Sequence, residues 1–138
     1  MKQFAPRLVV IAAMLTVLSG CLGAVRTEPA PVKTEQELAQ EQASHALQDA
    51  LARYEEGDYQ QAQQALLSDN VWQGDLPTRL SALKHLAYIY CMTEREQMCR
   101  HAFERAMHLD RNFVLSTAEA GHPLWGPQYR LALSGRQD

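Results

Sequence analysis

The sequence predicts an all-α fold: about two helical hairpins closed by a short C-terminal capping helix. Three observations predict it. Apolar residues from Glu35 to about Leu109 recur at the three-, four- and seven-residue spacing of one helix face. Turn signals at Glu56-Gly57-Asp58 and Thr93-Glu94-Arg95 divide that stretch into pairs of helices. No strand-like alternation bounded by turns competes for it. The chain has 138 residues, 46% hydrophobic and 21% charged, which fits one globular domain and excludes wholesale disorder.

The first twenty residues do not belong to that fold. Lys2 and Arg7 supply a short positive segment, and Leu8 to Leu18 is an uncharged apolar run of 11 residues. A bilayer core of roughly 30 Å needs about 20 residues, so the run suits a secretory signal instead of a membrane span. Leu18-Ser19-Gly20-Cys21 follows, and it resembles the bacterial lipobox. The resemblance implies cleavage after Gly20 and lipidation of the Cys21 thiol, with residues 1–20 as signal peptide. Leu22 follows the cysteine where an inner-membrane signal would carry aspartate, so the same resemblance implies the outer membrane, with the body facing the periplasm. Residues 21–34 read as lipidated cysteine and tether, because Pro29 and Pro31 interrupt any helical stripe. About 13 such residues reach up to roughly 40 Å when extended.

Residues 35–134 carry the helical pattern. Thr34 with Glu37 has capping-box spacing, and Leu47, Ala50, Leu51 and Tyr54 form one face of a first helix. Tyr59, Ala62 and Leu66 give a second face beyond Gly57-Asp58. Asp69 to Pro77 reads as a loop. A third helix is expected from about Thr78 to Met92, and a fourth from the Thr93-Arg95 turn to about Leu109.

The window Leu80–Phe113 matches the 34-residue tetratricopeptide (TPR) pattern. Leu83, Leu86, Ala87, Tyr90, Cys99, Phe103 and Ala106 occupy its large, large, small, aromatic, small, aromatic and small positions. Small residues let paired helices approach while large ones fill the groove. Arg111 stands where the pattern places a helix-ending proline. The preceding window matches less well, since Asp49 and Asp69 replace apolar or small residues, and a plain four-helix pair stays open as an alternative.

Beyond the repeats, Phe113 and Leu115 alternate as a short extended piece. Ser116 and Glu119 have capping-box spacing for one helical turn. Gly121 is placed where positive φ is useful, and Gly126-Pro127 opens a final helix. Trp125 is expected to pack back on the fourth helix.

The lipobox, the run YCMTEREQMCRHAFERAMHLDRNF and the string AEAGHPLWGPQYR together resemble the small TPR-like lipoproteins associated with bacterial type VI secretion, the TssQ-type family. The similarity covers about Leu80 to Arg130 plus the lipobox. It implies an accessory envelope role in a secretion apparatus, with a protein partner of that apparatus and no catalytic residue. A pilotin-like or general envelope-assembly lipoprotein of another machine fits the lipobox and the helical pattern equally well.

Candidate chemistry is sparse. With Cys21 assigned to lipid, Cys91 and Cys99 remain as a pair across the third turn; an oxidising compartment favours a disulfide over two buried thiols or a redox-active pair. His85, His101 and His108 fall at outward positions, and no spacing groups three metal ligands. His122 is expected to bond the backbone of its own turn. No nucleophile triad, phosphate loop or nucleotide fingerprint occurs, so no enzyme, cofactor or small-molecule substrate is expected. Without residues 1–20 there are 11 bases against 16 acids, a net of −5, which argues against nucleic acid. Binding by shape remains, with Trp72, Tyr88 and Trp125 as candidate anchors for a partner.

Overall fold

The computed structural model describes residues 32–137. Among them seven α-helices and one 3₁₀ turn account for 75% of residues, and there is no strand. The signal peptide, Cys21 and most of the tether lie outside the described residues.

Helix α1 spans Glu35–Glu55. Its first turn closes with the expected capping box: Glu37 N donates to Thr34 Oγ1 at 3.2 Å and Thr34 N to Glu37 Oε2 at 2.7 Å. It ends at Gly57, whose φ of 82° lets Asp58 N reach Arg53 O (2.9 Å) and Gly57 N reach Tyr54 O (3.0 Å). These two bonds are those of a Schellman motif, which satisfies carbonyls the helix would leave bare. Asp58 then caps α2, Tyr59–Leu66, by accepting from Gln61 N.

The stretch expected as a loop, Asp69–Pro77, holds one helical turn, α3, at Asp69–Trp72. It also contains the start of α4, Leu76–Met92. Asp75 accepts from Thr78 N at 3.0 Å, and Pro77 sits in the first turn, where its missing N–H costs nothing. Asp75 N donates to Gln40 Oε1 at 2.6 Å, tying this start to α1. Gly74 is required by close approach: a Cβ there would lie 2.9 Å from Ala43 Cβ and 2.7 Å from Thr78 Cγ2.

Helix α4 is the centre of the fold. Ala82, Leu83 and every residue from Leu86 to Cys91 are buried, so α4 hides more than one stripe. It pairs with α5, Glu96–Leu109, across the short Thr93-Arg95 turn. Phe103, Leu66, Leu83, Leu86, Ile89 and Val71 fill the core fully. Burial of these side chains is the main stabilising term, about 1.5–3 kcal/mol each before entropy is subtracted.

After α5 the chain runs extended. Phe113 and Leu115 are buried while Val114 between them is 68% exposed, the alternation expected of an extended segment. Ser116 and Glu119 close a capping box on α6, Thr117–Ala120. Gly121 ends α6 with φ −83°, so the positive φ open to a glycine there is not used. Helix α7 spans Gly126–Ser134, followed by a 3₁₀ turn at Gly135–Gln137. Gln128 Nε2 donates to Glu96 Oε2 (3.0 Å), and Arg136 donates to Arg111 O (3.0 Å). One bond lies at the start of both helices and the other at their ends, so α7 runs parallel to α5.

Candidate functional site

The residues singled out for helix packing are buried. Leu83, Leu86, Ala87, Phe103 and Ala106 are at most 1% exposed, and Tyr90 is buried beside them. Ala87 and Ala106 give the close approach, and Cys99 is small enough to do the same.

Cys91 and Cys99 are disulfide-bonded, with Cα atoms 5.2 Å apart. Cys91 lies in the last turn of α4 and Cys99 in the first turn of α5, so the bond closes the hairpin at its tip. Both are buried. Within the turn Glu94 has φ 59°, the only positive φ outside glycine among the described residues. Arg95 N donates to Tyr90 O (2.8 Å) and Glu94 N to Cys91 O (3.3 Å). This repeats the Schellman pattern of Gly57, with glutamate in glycine's place. The Arg95 guanidinium lies 4.6 Å from the Tyr90 ring centroid and donates to Gln63 Oε1 on α2 at 2.6 Å.

A second cluster joins α4 to the C-terminal segment. Tyr88 and Trp125 stack with ring centroids 4.1 Å apart, and His122 stacks on Trp125 at 3.4 Å. Glu119 is the hub. It accepts from Lys84 Nζ at 2.8 Å and from Tyr88 Oη at 3.0 Å, and its backbone carbonyl accepts from Trp125 Nε1 at 2.9 Å. Its other carboxylate oxygen caps Ser116 N. The Lys84 hydrogen bond, with those from Ser116 and Tyr88, holds the Glu119 carboxyl down to about 2 despite partial burial. Burial, then the bond to Glu119, pushes Tyr88 well above the ordinary tyrosine range.

These contacts correct two expectations. Tyr88 is 4% exposed and Trp125 9%. Their rings are used inside the molecule and are not presented to a partner. Trp125 stacks on Tyr88 of α4, and the helix it opens, α7, packs on α5. Trp72 alone among the three aromatics is half-buried. Its Nε1 donates to Leu66 O at 3.1 Å, and the Arg105 guanidinium lies 5.2 Å from its ring centroid, leaving part of one face accessible beside α5.

The histidines divide. His101 and His108 are exposed on α5, as expected. His85 is not outward: it lies half-buried between Tyr54 (5.4 Å) and Tyr88 (5.6 Å), with Nδ1 2.7 Å from Ser81 O. Burial pushes its pKa down. Leu124 N donates to His122 Nδ1 at 3.3 Å, the turn bond expected of His122. Sequence reasoning passed over Glu119, Lys84 and His85 as a group. The capping-box spacing of Ser116 and Glu119 was the signal for one of them.

Among the described residues no group of three potential ligands is placed to hold a metal. No described helix is long and apolar enough to cross a membrane. A cleft of about 490 Å³ lies between α5 and α7, lined by Glu104, His108, Arg111 and Arg136 among others. Arg136 spans this cleft by donating to Arg111 O just past the end of α5, so that guanidinium is used within the fold. Comparison with protein-family models, characterised proteins and solved structures gives no match.

Proposed function

We propose that the chain is an outer-membrane lipoprotein whose TPR-like body acts as a non-enzymatic adaptor, an accessory component of a type VI secretion apparatus. The observation that carries the reading is the ordered N-terminus: positive residues, an 11-residue apolar run, then Leu18-Ser19-Gly20-Cys21. The lipid on Cys21 tethers the body to the membrane, and the segment to Thr34 sets its reach.

Two features of the body support a TPR-like geometry. The buried residues of α4 and α5 take the large and small positions of that pattern. Two hairpin turns share one Schellman geometry, at Gly57 and Glu94. Helix α7 runs parallel to α5, unlike the first helix of a further hairpin, and with Trp125 before it closes the open end against Tyr88 and Phe103. An adaptor of this kind binds a protein partner through exposed side chains, and Trp72 beside Arg105 is the anchor retained.

Metabolic labelling with palmitate tests the reading. The wild-type chain incorporates label and fractionates with the outer membrane. Cys21→Ser yields an unprocessed, unlabelled precursor. Normal labelling of that variant would overturn the lipoprotein reading.

A further inference from the structure

The two hairpin turns differ in one residue that matters. Both place the residue after the helix cap in the left-handed region, at Gly57 (φ 82°) and Glu94 (φ 59°). Glycine adopts that conformation without steric penalty, and a residue with a Cβ does not. The Glu94 side chain makes no hydrogen bond to the described residues, so the left-handed residue is held by the two backbone bonds, by Thr93 Oγ1 donating to Ile89 O at 2.7 Å, and by a covalent restraint. The one covalent restraint is Cys91–Cys99, which brackets it on both sides. No such bond spans the glycine turn.

The turn also carries a contact between hairpins. Once Glu94 is left-handed, Arg95 N reaches Tyr90 O, and its side chain covers Tyr90 and bonds Gln63 of α2. Thr93 Oγ1 accepts from Arg95 Nε at 3.0 Å, fixing the guanidinium further.

We propose that Cys91–Cys99 is an oxidation-set latch, holding Glu94 left-handed so that Arg95 ties the second hairpin to the first. The chain then has a tight hairpin junction when oxidised and a loosened one when reduced. The oxidant is a protein disulfide of the dithiol–disulfide oxidoreductase class. One cysteine thiolate attacks that disulfide and forms a mixed disulfide, releasing the oxidant's first thiolate. The second cysteine thiolate then attacks the mixed disulfide and releases the other. Two cysteine thiols are oxidised, the oxidant's disulfide is reduced to two thiols, and the two protons pass to it. The latch rests on the export part of the proposed function, which supplies the oxidising compartment, and not on the adaptor part.

Amide hydrogen exchange on the full chain tests this, because it reads the turn and not global stability. Reduction with dithiothreitol is expected to accelerate exchange at Glu94 and Arg95 roughly tenfold, the scale of a left-handed penalty. In Glu94→Gly, the same reduction is expected to change exchange there less than about threefold, since glycine needs no latch. Where the buried bond resists reduction, Cys91→Ala/Cys99→Ala with and without Glu94→Gly gives the same comparison. Equal acceleration with and without the Glu94→Gly substitution, or none in wild type, overturns the proposal.

Discussion

Replacing Trp125 with alanine separates a structural tryptophan from a binding one. The side chain is 9% exposed, lies between Tyr88 and His122, and donates Nε1–H to Glu119 O. Truncation removes both stacks, leaves the Glu119 carbonyl with only its His122 N donor (3.1 Å), and opens a cavity over Phe103's neighbour Tyr88. Buried tryptophan truncations cost about 3–5 kcal/mol, and a stacked pair plus a lost hydrogen bond place this one within that range. For a domain of this size the thermal midpoint falls by roughly 15–25 °C. Thermal and urea unfolding followed by far-ultraviolet circular dichroism measure the midpoint and the free-energy loss, with Trp72→Ala as comparison. Trp72 is half-buried, so its loss is expected to cost less, about 1–2 kcal/mol. A cost below about 1 kcal/mol for Trp125→Ala, or the reverse order of the two variants, refutes the assignment of Trp125 to the fold.

Further outcomes follow from the Glu119 hub and from close packing. The Glu119 carboxyl is lower in the folded chain than in the unfolded one, so its stabilisation is present above about pH 5 and is lost as pH falls toward 2. Glu119→Gln removes that loss: the variant is less stable at pH 7 by about 1–2 kcal/mol, after allowing for solvent screening, and converges with wild type near pH 2 in acid titrations of the thermal midpoint. His85 behaves in the same direction for the opposite chemical reason. Its pKa is lowered by burial, so the neutral ring is favoured on folding, and stability falls as pH drops through the unfolded histidine value near 6.5. His85→Gln is expected to flatten the midpoint between about pH 7.5 and 5.5. Gly74→Ala drives a methyl into Thr78 and Ala43, and calorimetry is expected to show a loss of about 1–3 kcal/mol.

Much of the helical body was legible because its signals are local. Thr34-Glu37 and Ser116-Glu119 name their own capping boxes, and Gly57 names its turn. Pairing of Cys91 with Cys99 followed from a hairpin expected between them. Helix α3 is not legible because four residues, Asp69–Trp72, are too few to show a helical period, and Gly74 and Pro77 soon after them read as loop. The start of α4 was written in Asp75 and Pro77, a cap and a first-turn proline, yet Pro77 reads equally as the end of a loop. The candidate site was much less legible. Tyr88 lies off the main stripe of α4, and only the return of the chain from Phe113 to Trp125 buries it. Trp125, Glu119 and Lys84 meet across more than 30 residues of sequence, a distance that helical periodicity does not report. Glu94 resembles any solvated turn acid until its φ is known.

The proposed role is that of a lipid-tethered helical body holding an envelope component of a secretion machine. Affinity capture of the full lipidated chain from detergent-solubilised envelopes, with bound proteins identified by mass spectrometry, tests it most directly. The expected result is recovery of type VI membrane-complex subunits by wild type and their loss with Trp72→Ala, while Trp72→Ala remains folded and labelled with palmitate. Recovery of no secretion subunit by a correctly lipidated, folded wild-type chain contradicts it, and recovery of subunits from another secretion or pilus machine assigns the tether to that machine instead.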